Sequence, residues 1–158
     1  MEAEGKEFSM ADEDVETVDE WVAFYRDEFG LPVRRRGGFA MLAVTGRIGV
    51  VHLPKVRAEK VCAALGRHGV RVPVLARNIR WSFFARPDSR PEPQLLAAFD
   101  RLDIGLPTVG SAVMLPTGLG RWTREGCFWA NPPNRGDTLP PLSGILAAAL
   151  VVGAGTGY

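Results

Sequence analysis

Cysteine and histidine are scarce in this chain of 158 residues, which holds only Cys62, Cys127, His52 and His68. The two cysteines form no Cys-x-x-Cys pair, and neither has a histidine at the spacing of a zinc ligand set. We therefore expect no disulfide framework, no structural metal and no bound cofactor. Cys62 falls in a predicted helix and Cys127 in a predicted strand, where a buried, reduced thiol is the common situation.

Long apolar runs are lacking as well. The longest, residues 145–155, is about half the length of a membrane-spanning helix. The first twenty residues are acidic and contain no apolar stretch of the signal-peptide type. These features predict a protein that has no membrane association and resides in the cytoplasm.

Acidic residues become rare after the first thirty positions. Residues 1–30 hold eleven acids and two bases, a net charge of −9, whereas residues 31–158 hold seventeen bases and seven acids, a net charge of +10. The composition is rich in Arg, Ala, Gly and Pro, as in GC-rich, high-GC bacterial genomes, so the arginine count alone is weak evidence for nucleic-acid binding. A domain with this excess of positive charge is still attracted to polyanions.

Hydrophobic periodicity predicts one domain, residues 13–152, between an acidic disordered tail at 1–12 and a frayed C-terminus at 153–158. Short turns between neighbouring strands indicate a mixed, largely antiparallel sheet with packed helices, which is an α+β fold. The predicted helices cover 13–30 (an acidic leader helix), 56–69, 95–102 and 142–152. The predicted strands cover 33–36, 39–44, 48–53, 72–76, 80–85, 112–115 and 121–130.

Arrangements of catalytic residues are not evident in the sequence. After residue 30 no two acids form an Asp-x-Asp pair on a strand, the arrangement that two-metal phosphoryl transfer needs. His52 lies in a predicted strand, where a histidine on the more polar face is the common case. We predict no catalytic residue and no metal ligand. An enzyme of unrelated chemistry that uses His52 or Cys127 is the least favoured alternative.

Arginine and aromatic residues stand together around the predicted strand 80–85. Aromatic side chains flanked by arginines are typical of surfaces on which single-stranded nucleic acid stacks. This pattern predicts a nucleic-acid-binding surface formed by Arg35, Arg80, Trp81 and Arg86. Core packing is the commoner explanation for such aromatics, since Trp81 and Phe83 share one face of the strand.

The same two explanations apply near the C-terminal end of the domain. Trp122 and Trp129 stand beside Arg121 and Arg124 within the predicted strand 121–130. Here too a core position is the more frequent role of the aromatic side chain.

Six short segments follow one another in the order and spacing of a known family. They are 40–46 (AMLAVTG), 50–54 (VVHLP), 72–75 (VPVL), 80–87 (RWSFFARP), 111–117 (SAVMLPT) and 121–123 (RWT). On these segments the chain resembles degenerate members of the bifunctional DNA primase/polymerase N-terminal (Prim-Pol) family, which is similar to the archaeo-eukaryotic primases. The resemblance covers residues 39 to about 150 and implies a primase-like fold.

Members of that family that polymerise nucleotides carry Asp-x-Asp, Ser-x-His and a further Asp on three strands. The segments that resemble these motifs are 50–53, 80–84 and 112–114, and they contain no acid and no Ser-x-His. The resemblance therefore implies a domain that has lost nucleotidyl transfer.

Two functional hypotheses follow for such a domain. The first is a catalytically inactive Prim-Pol-like module that binds single-stranded nucleic acid or a nucleotide through a basic sheet face. The second is a regulatory, protein-interaction module without nucleic-acid binding, in which the acidic leader helix docks on a partner or on the basic face. The helix stripe formed by Val18, Trp21, Val22 and Tyr25 is either core or an exposed docking surface.

Overall fold

The computed structural model describes residues 16–155, with side chains to residue 152. Within this range the chain forms four helices, α1 (Val18–Phe29), α2 (Lys55–Arg67), α3 (Pro93–Arg101) and α4 (Leu142–Gly155). Its seven strands are β1 (Val33–Arg36), β2 (Phe39–Ala43), β3 (Gly49–Pro54), β4 (Val74–Ala76), β5 (Arg80–Ala85), β6 (Ala112–Leu115) and β7 (Phe128–Asn131). The predicted tail 1–12 and residues 156–158 lie outside the described residues. None of the described helices combines the length and the apolarity needed to cross a membrane.

The strands pair antiparallel, and the α+β class is confirmed, but the strands form two sheets where one was predicted. The first sheet has the order β1-β2-β6 and the second the order β3-β5-β4-β7. The division arises after β2, where the amide of Val44 donates to Ser111 instead of to β3. The Thr45 hydroxyl accepts from the amides of Arg47 and Ile48, and this turn directs β3 into the other sheet.

The four-stranded sheet is buried on both faces. One face, with Val50 and Phe84, packs against the three-stranded sheet and α1 in a first hydrophobic core. The alternate residues, such as Val51 and Phe83, face α2 and α4 in a second core. This arrangement explains why the predicted strands 48–53 and 80–85 are so continuously apolar.

Helix α1 begins at Val18, and Thr17 and Glu20 form a capping box at its start. Residues 13–15 of the predicted leader helix lie outside the described residues. Gly30 ends the helix in the left-handed conformation, with φ of 66°. Trp21, Val22 and Tyr25 are buried in the first core. The apolar stripe of the leader helix is therefore a structural element of the core.

The prediction for residues 121–130, a single strand, differs most from the structure. Only Phe128–Asn131 forms a strand, and residues 116–127 are a loop. The chain turns at Thr123–Gly126, where the Gly126 amide donates to the Thr123 carbonyl and Gly126 has φ of 76°. A left-handed glycine at the end of this turn is incompatible with an extended strand through residues 121–130.

Candidate binding cleft at the hairpin end of the four-stranded sheet

A cleft of about 930 Å³ opens beside the β4–β5 hairpin, between α2 and the loop 116–127. Three basic, four aromatic and one acidic side chain contribute to its walls, together with small residues of the loop and the hairpin. The charged and aromatic ones are Lys55, Glu59, Arg77, Trp81, Arg121, Trp122, Phe128 and Trp129. We refer to this site as the basic cleft.

The aromatic floor of the basic cleft follows from strand register. Ala76 on β4 is opposite Trp81 on β5 and also opposite Phe128 on β7. Directly opposed residues in an antiparallel sheet project from the same face. The methyl group of Ala76 therefore lies between two large aromatic side chains on one face.

The charge of the basic cleft comes from three separate parts of the chain. Lys55 is the first residue of α2 and Arg77 is in the β4–β5 turn, where its guanidinium donates to the Met114 carbonyl at 3.4 Å. Arg121 lies on the loop, with its guanidinium carbon 5.1 Å from the centre of the Phe128 ring. Glu59 supplies the single negative side chain among the lining residues of the cleft. The site is consequently cationic, and one of its cations is held over an aromatic face.

A buried carboxylate braces the base of the loop 116–127. The side chain of Glu125 is 0% exposed, accepts hydrogen bonds from the amide and the hydroxyl of Thr117, and pairs with Arg124 at 3.3 Å. Arg124 in turn donates to the Gly38 carbonyl of the β1–β2 turn and lies 4.8 Å from the centre of the Phe39 ring. These contacts fix the two ends of the loop relative to the three-stranded sheet.

The tip of the same loop holds Trp122 out into solvent. This side chain is 94% exposed, the highest value among the large hydrophobic residues of the described chain. A tryptophan usually buries most of its large apolar surface, because leaving it in water is unfavourable. Its exposure at the edge of a cationic cleft therefore indicates a surface available for contact with a ligand.

Two of the four residues predicted to bind nucleic acid are neighbours on β5 but lie on opposite faces of its sheet. Trp81 lines the basic cleft and packs against the second core. Arg80 is on the other face, where its guanidinium pairs with the Asp103 carboxylate at 3.0 Å and donates to the Asp103 carbonyl at 3.2 Å.

The other two predicted residues lie away from the basic cleft. Arg86 is exposed beyond the far end of β5, and its backbone bonds to Pro140 and Leu142. Arg35 is on β1 of the other sheet and pairs with Asp19 of α1 at 3.0 Å. The structure thus distributes Arg35, Arg80, Trp81 and Arg86 over several surfaces, and their role in binding stays a prediction.

The sequence predicts a strand around Trp122 and so favours a core position for this residue, whereas the structure places it in an exposed loop. The signal for a loop was present in Gly118, Gly120 and Gly126, which flank the tryptophan and leave no alternation of apolar and polar residues. Arg77 belongs to the arginine–aromatic cluster around Trp81, whereas Lys55 carried no comparable signal, because only the fold brings α2 and the hairpin together.

His52 and Ser82 form a cross-strand pair on the other face of the four-stranded sheet. Nδ1 of His52 lies 2.8 Å from the Ser82 hydroxyl oxygen. Burial lowers the pKa of His52, and the positive charges of Arg80 and Arg77 lower that pKa further. The imidazole is therefore neutral at physiological pH. Ser82 is only 2% exposed, so its hydroxyl is poorly placed to attack a substrate.

The two thiols are shielded from solvent, since Cys127 is buried and Cys62 is half-buried. Burial raises the pKa of Cys127 to about 11, against a smaller opposing effect of Arg77. Burial also raises the pKa of Cys62 to about 11, with a further contribution from Glu59. Both groups are protonated at neutral pH, and a thiol is a far weaker nucleophile than a thiolate. In the part of the chain from 16 to 155, no three His, Cys, Asp or Glu side chains gather into a group that could hold a metal ion.

The three segments that resemble the primase motifs fall on β3, β5 and β6. Comparisons with family models, curated proteins and solved structures find no match to this chain. The resemblance to the Prim-Pol family therefore stays a prediction that depends on the sequence segments quoted above.

Proposed function

We propose that the chain is a binding module for single-stranded nucleic acid, and that the basic cleft is its binding site. The observation that carries the proposal is the exposed Trp122 beside a cleft whose lining holds three cations and one anion. We also propose that the module does not transfer nucleotides, because the segments resembling the primase motifs hold no carboxylate. A Prim-Pol-like origin is consistent with this role.

The two kinds of side chain in the cleft match the two parts of a nucleotide. Lys55, Arg77 and Arg121 attract phosphates, and each phosphate contact releases counterions from the strand. Trp122 offers a flat ring to a base, and Trp81 and Phe128 line the adjoining floor. Stacking of a base on an aromatic side chain contributes about 1–3 kcal/mol and depends little on the identity of the base.

Unpaired bases are favoured over a duplex as the ligand. A base inside a duplex already stacks on its neighbours, so it can cover the ring of Trp122 only after it leaves the helix. A free nucleotide carries the same base and phosphate chemistry and is the smaller ligand that the cleft would accept. A strand adds further phosphates for Arg121 and Lys55, so we expect it to bind more tightly.

The test is a fluorescence-anisotropy titration of the full chain with labelled single-stranded and double-stranded DNA and RNA, with unlabelled mononucleotide as competitor. Titrations at about 50 mM and about 300 mM salt should differ, with a slope of log K against log salt near −2 for three phosphate contacts. Trp122→Ala should weaken binding about tenfold, and Trp122→Phe should restore most of the affinity.

Substitutions of basic residues test where the ligand binds. Arg121→Gln should weaken binding and should make the slope of log K against log salt shallower by the share of about one phosphate contact. Arg101→Gln, on α3, should lower the affinity much less. A combined Arg35→Gln, Arg80→Gln and Arg86→Gln variant tests the surface predicted from sequence. A larger loss per removed charge in that variant than in Arg121→Gln would place the ligand outside the basic cleft.

The absence of any salt-sensitive binding at low salt would overturn the proposal and favour the protein-interaction module. In that case the exposed acidic face of α1, with Asp19 and Asp27, is the surface to test for a protein partner. Its apolar stripe is buried and cannot form the contact.

A further inference from the structure

A second cavity, of about 730 Å³, lies beside the turn at which the chain passes from the three-stranded to the four-stranded sheet. The end of α1, the turn 45–48 and the segment after β7 bound it. We refer to it as the apolar cavity. Its volume is within the range of pockets that hold small organic ligands. Among the described residues, Trp129 alone lines both this cavity and the basic cleft.

Aromatic and proline side chains form much of the wall of the apolar cavity. The rings of Phe84 and Trp129 contact each other there, with 5.7 Å between their centres. Three prolines also line the cavity, namely Pro32, Pro73 and Pro133. A proline has no backbone N–H, so these positions present apolar surface without a donor that must be satisfied. The walls therefore suit the flat, apolar face of an aromatic ring.

Two hydrogen-bond donors of the apolar cavity come from the turn 45–48. The Thr45 hydroxyl accepts from the amides of Arg47 and Ile48 at 3.1 and 3.2 Å, and its own proton has no acceptor among the described residues. The Arg47 side chain is exposed and forms no ion pair within the described part of the chain. A hydroxyl and a guanidinium are both donors that a carboxylate accepts.

The charges around the apolar cavity favour an anion. Its lining holds two charged side chains, Arg47 and Asp137. Asp137 is already satisfied, since its carboxylate accepts from the Asn134 amide at 2.8 Å and pairs with Arg71 at 3.3 Å. The charge of Arg47 is thus the one left without a described counterion, and it attracts a negative ligand and repels a positive one.

We propose that the apolar cavity binds a small aromatic carboxylate, with the ring against Phe84 and Trp129 and the carboxylate on Thr45 and Arg47. This site is separate from the basic cleft, and the inference does not rest on the proposed function. A ligand of some ten to fifteen non-hydrogen atoms in such a pocket has a Kd of roughly 0.01–1 mM.

The probe is 2-naphthoate, and 2-naphthamide, which has the same ring and no charge, is the matched control ligand. Each is titrated into the full chain while the indole N–H resonances are followed by NMR, with Trp129→Phe and Trp122→Phe to assign two of them. 2-Naphthoate should shift the Trp129 resonance saturably, and 2-naphthamide should bind about two- to fivefold more weakly. No shift of Trp129 at about 5 mM 2-naphthoate, or a shift confined to Trp122, would overturn the inference.

Variants of the full chain locate the two parts of the ligand. Arg47→Gln should weaken 2-naphthoate binding about two- to fivefold and leave 2-naphthamide unaffected, whereas Arg101→Gln, on α3, should change neither. Leu139→Trp, on the cavity wall, should fill space and abolish the binding of both ligands while circular dichroism shows a retained fold. Equal losses of the two ligands in Arg47→Gln would contradict a carboxylate on this guanidinium.

Trp122→Ala separates this site from the basic cleft. The variant should bind 2-naphthoate as the wild type does, although it should lose affinity for an oligonucleotide. A loss of 2-naphthoate binding in Trp122→Ala would place the probe in the basic cleft and overturn the inference. Oligonucleotide binding without 2-naphthoate binding would overturn the inference and still support the proposed function.

Discussion

The hydroxyl group of Tyr25 donates a 2.6 Å hydrogen bond to the backbone carbonyl of Pro116. The same hydroxyl accepts a hydrogen bond of 3.1 Å from the indole nitrogen of Trp129. Tyr25 lies in α1, Pro116 begins the loop that carries Trp122, and Trp129 lines the basic cleft. One buried side chain therefore connects the acidic helix to both sides of the proposed binding site.

Tyr25→Phe should destabilise the protein by about 1–3 kcal/mol, because it removes the hydroxyl and leaves the buried Pro116 carbonyl and the Trp129 N–H without it. The measurement is urea unfolding followed by far-UV circular dichroism. A double-mutant cycle with Trp129→Phe separates the indole contact from the carbonyl contact. A loss below about 0.5 kcal/mol for Tyr25→Phe would contradict a structural role for this hydroxyl.

Deletion of residues 1–30 should abolish cooperative folding, because it removes Trp21, Val22 and Tyr25 from the first core. Each large core side chain contributes about 2–5 kcal/mol, and the whole stability of a domain is about 5–15 kcal/mol. Deletion of residues 1–15 keeps Thr17, Glu20 and the described core residues in the chain and is the matched control. A cooperative thermal transition in the 31–158 fragment would show that α1 is dispensable.

Glu125→Ala should loosen the loop 116–127, since the amide of Thr117 and the guanidinium of Arg124 both lose a partner. We expect a loss of about 1–3 kcal/mol in stability together with weaker oligonucleotide binding. Glu125→Gln retains one acceptor oxygen, so its stability and its affinity for the oligonucleotide should lie between those of the wild type and Glu125→Ala. Equal behaviour of the Ala and Gln variants would show that the carboxylate does not brace the loop.

His52 should make stability fall in mildly acidic solution. Its pKa in the folded protein is lowered from the ordinary value of 6.5, so the unfolded chain takes up a proton at a higher pH than the folded one. The contribution of neutral His52 to the free energy of unfolding is complete above about pH 6.5. It is lost as the pH falls from there through the lower pKa of the folded state.

Urea unfolding between about pH 8 and about pH 5 measures this effect. His52→Asn should remove the part of the pH dependence that belongs to His52, because Asn keeps a polar atom near Ser82 but does not titrate. If the free energy of unfolding depended on pH in the same way in His52→Asn as in the wild type, the folded protein would not suppress the protonation of His52.

Both thiols should react slowly with iodoacetamide in the folded protein. Their pKa values of about 11 leave little thiolate at pH 8, and Cys127 is fully buried. Unfolding in urea should increase both rates strongly. Fast alkylation of Cys127 without urea would contradict the structure and would favour the alternative of a thiol enzyme.

Local signals in the sequence were sufficient for most elements of the fold. The strand 80–85 agrees with the prediction, and α2 and α4 agree to within three residues at each end, because periodicity and flanking Pro or Gly residues are local properties. The division into two sheets depends on the contact of Val44 with Ser111, which are far apart in the chain. No local pattern encodes that pairing.

The candidate site was less predictable than the fold. Arginine–aromatic clustering drew attention to Trp81, which lines the cleft, and its role in binding stays a prediction. The same clustering could not indicate that Arg80 points to the opposite face and pairs with Asp103. Ion pairs of this kind form between residues that only the folded chain brings together.

By itself, the sequence determined the mixture of helices and strands, the opposite net charges of residues 1–30 and 31–158, and the lack of an Asp-x-Asp pair after residue 30. These properties depend on composition and on spacing over a few residues. Only the tertiary structure decided that Trp122 is exposed and that Lys55, Arg77 and Arg121 meet in one cleft. That outcome required the pairing of Ala76 with both Trp81 and Phe128 and the bracing of the loop by Glu125, and both are contacts between distant parts of the chain.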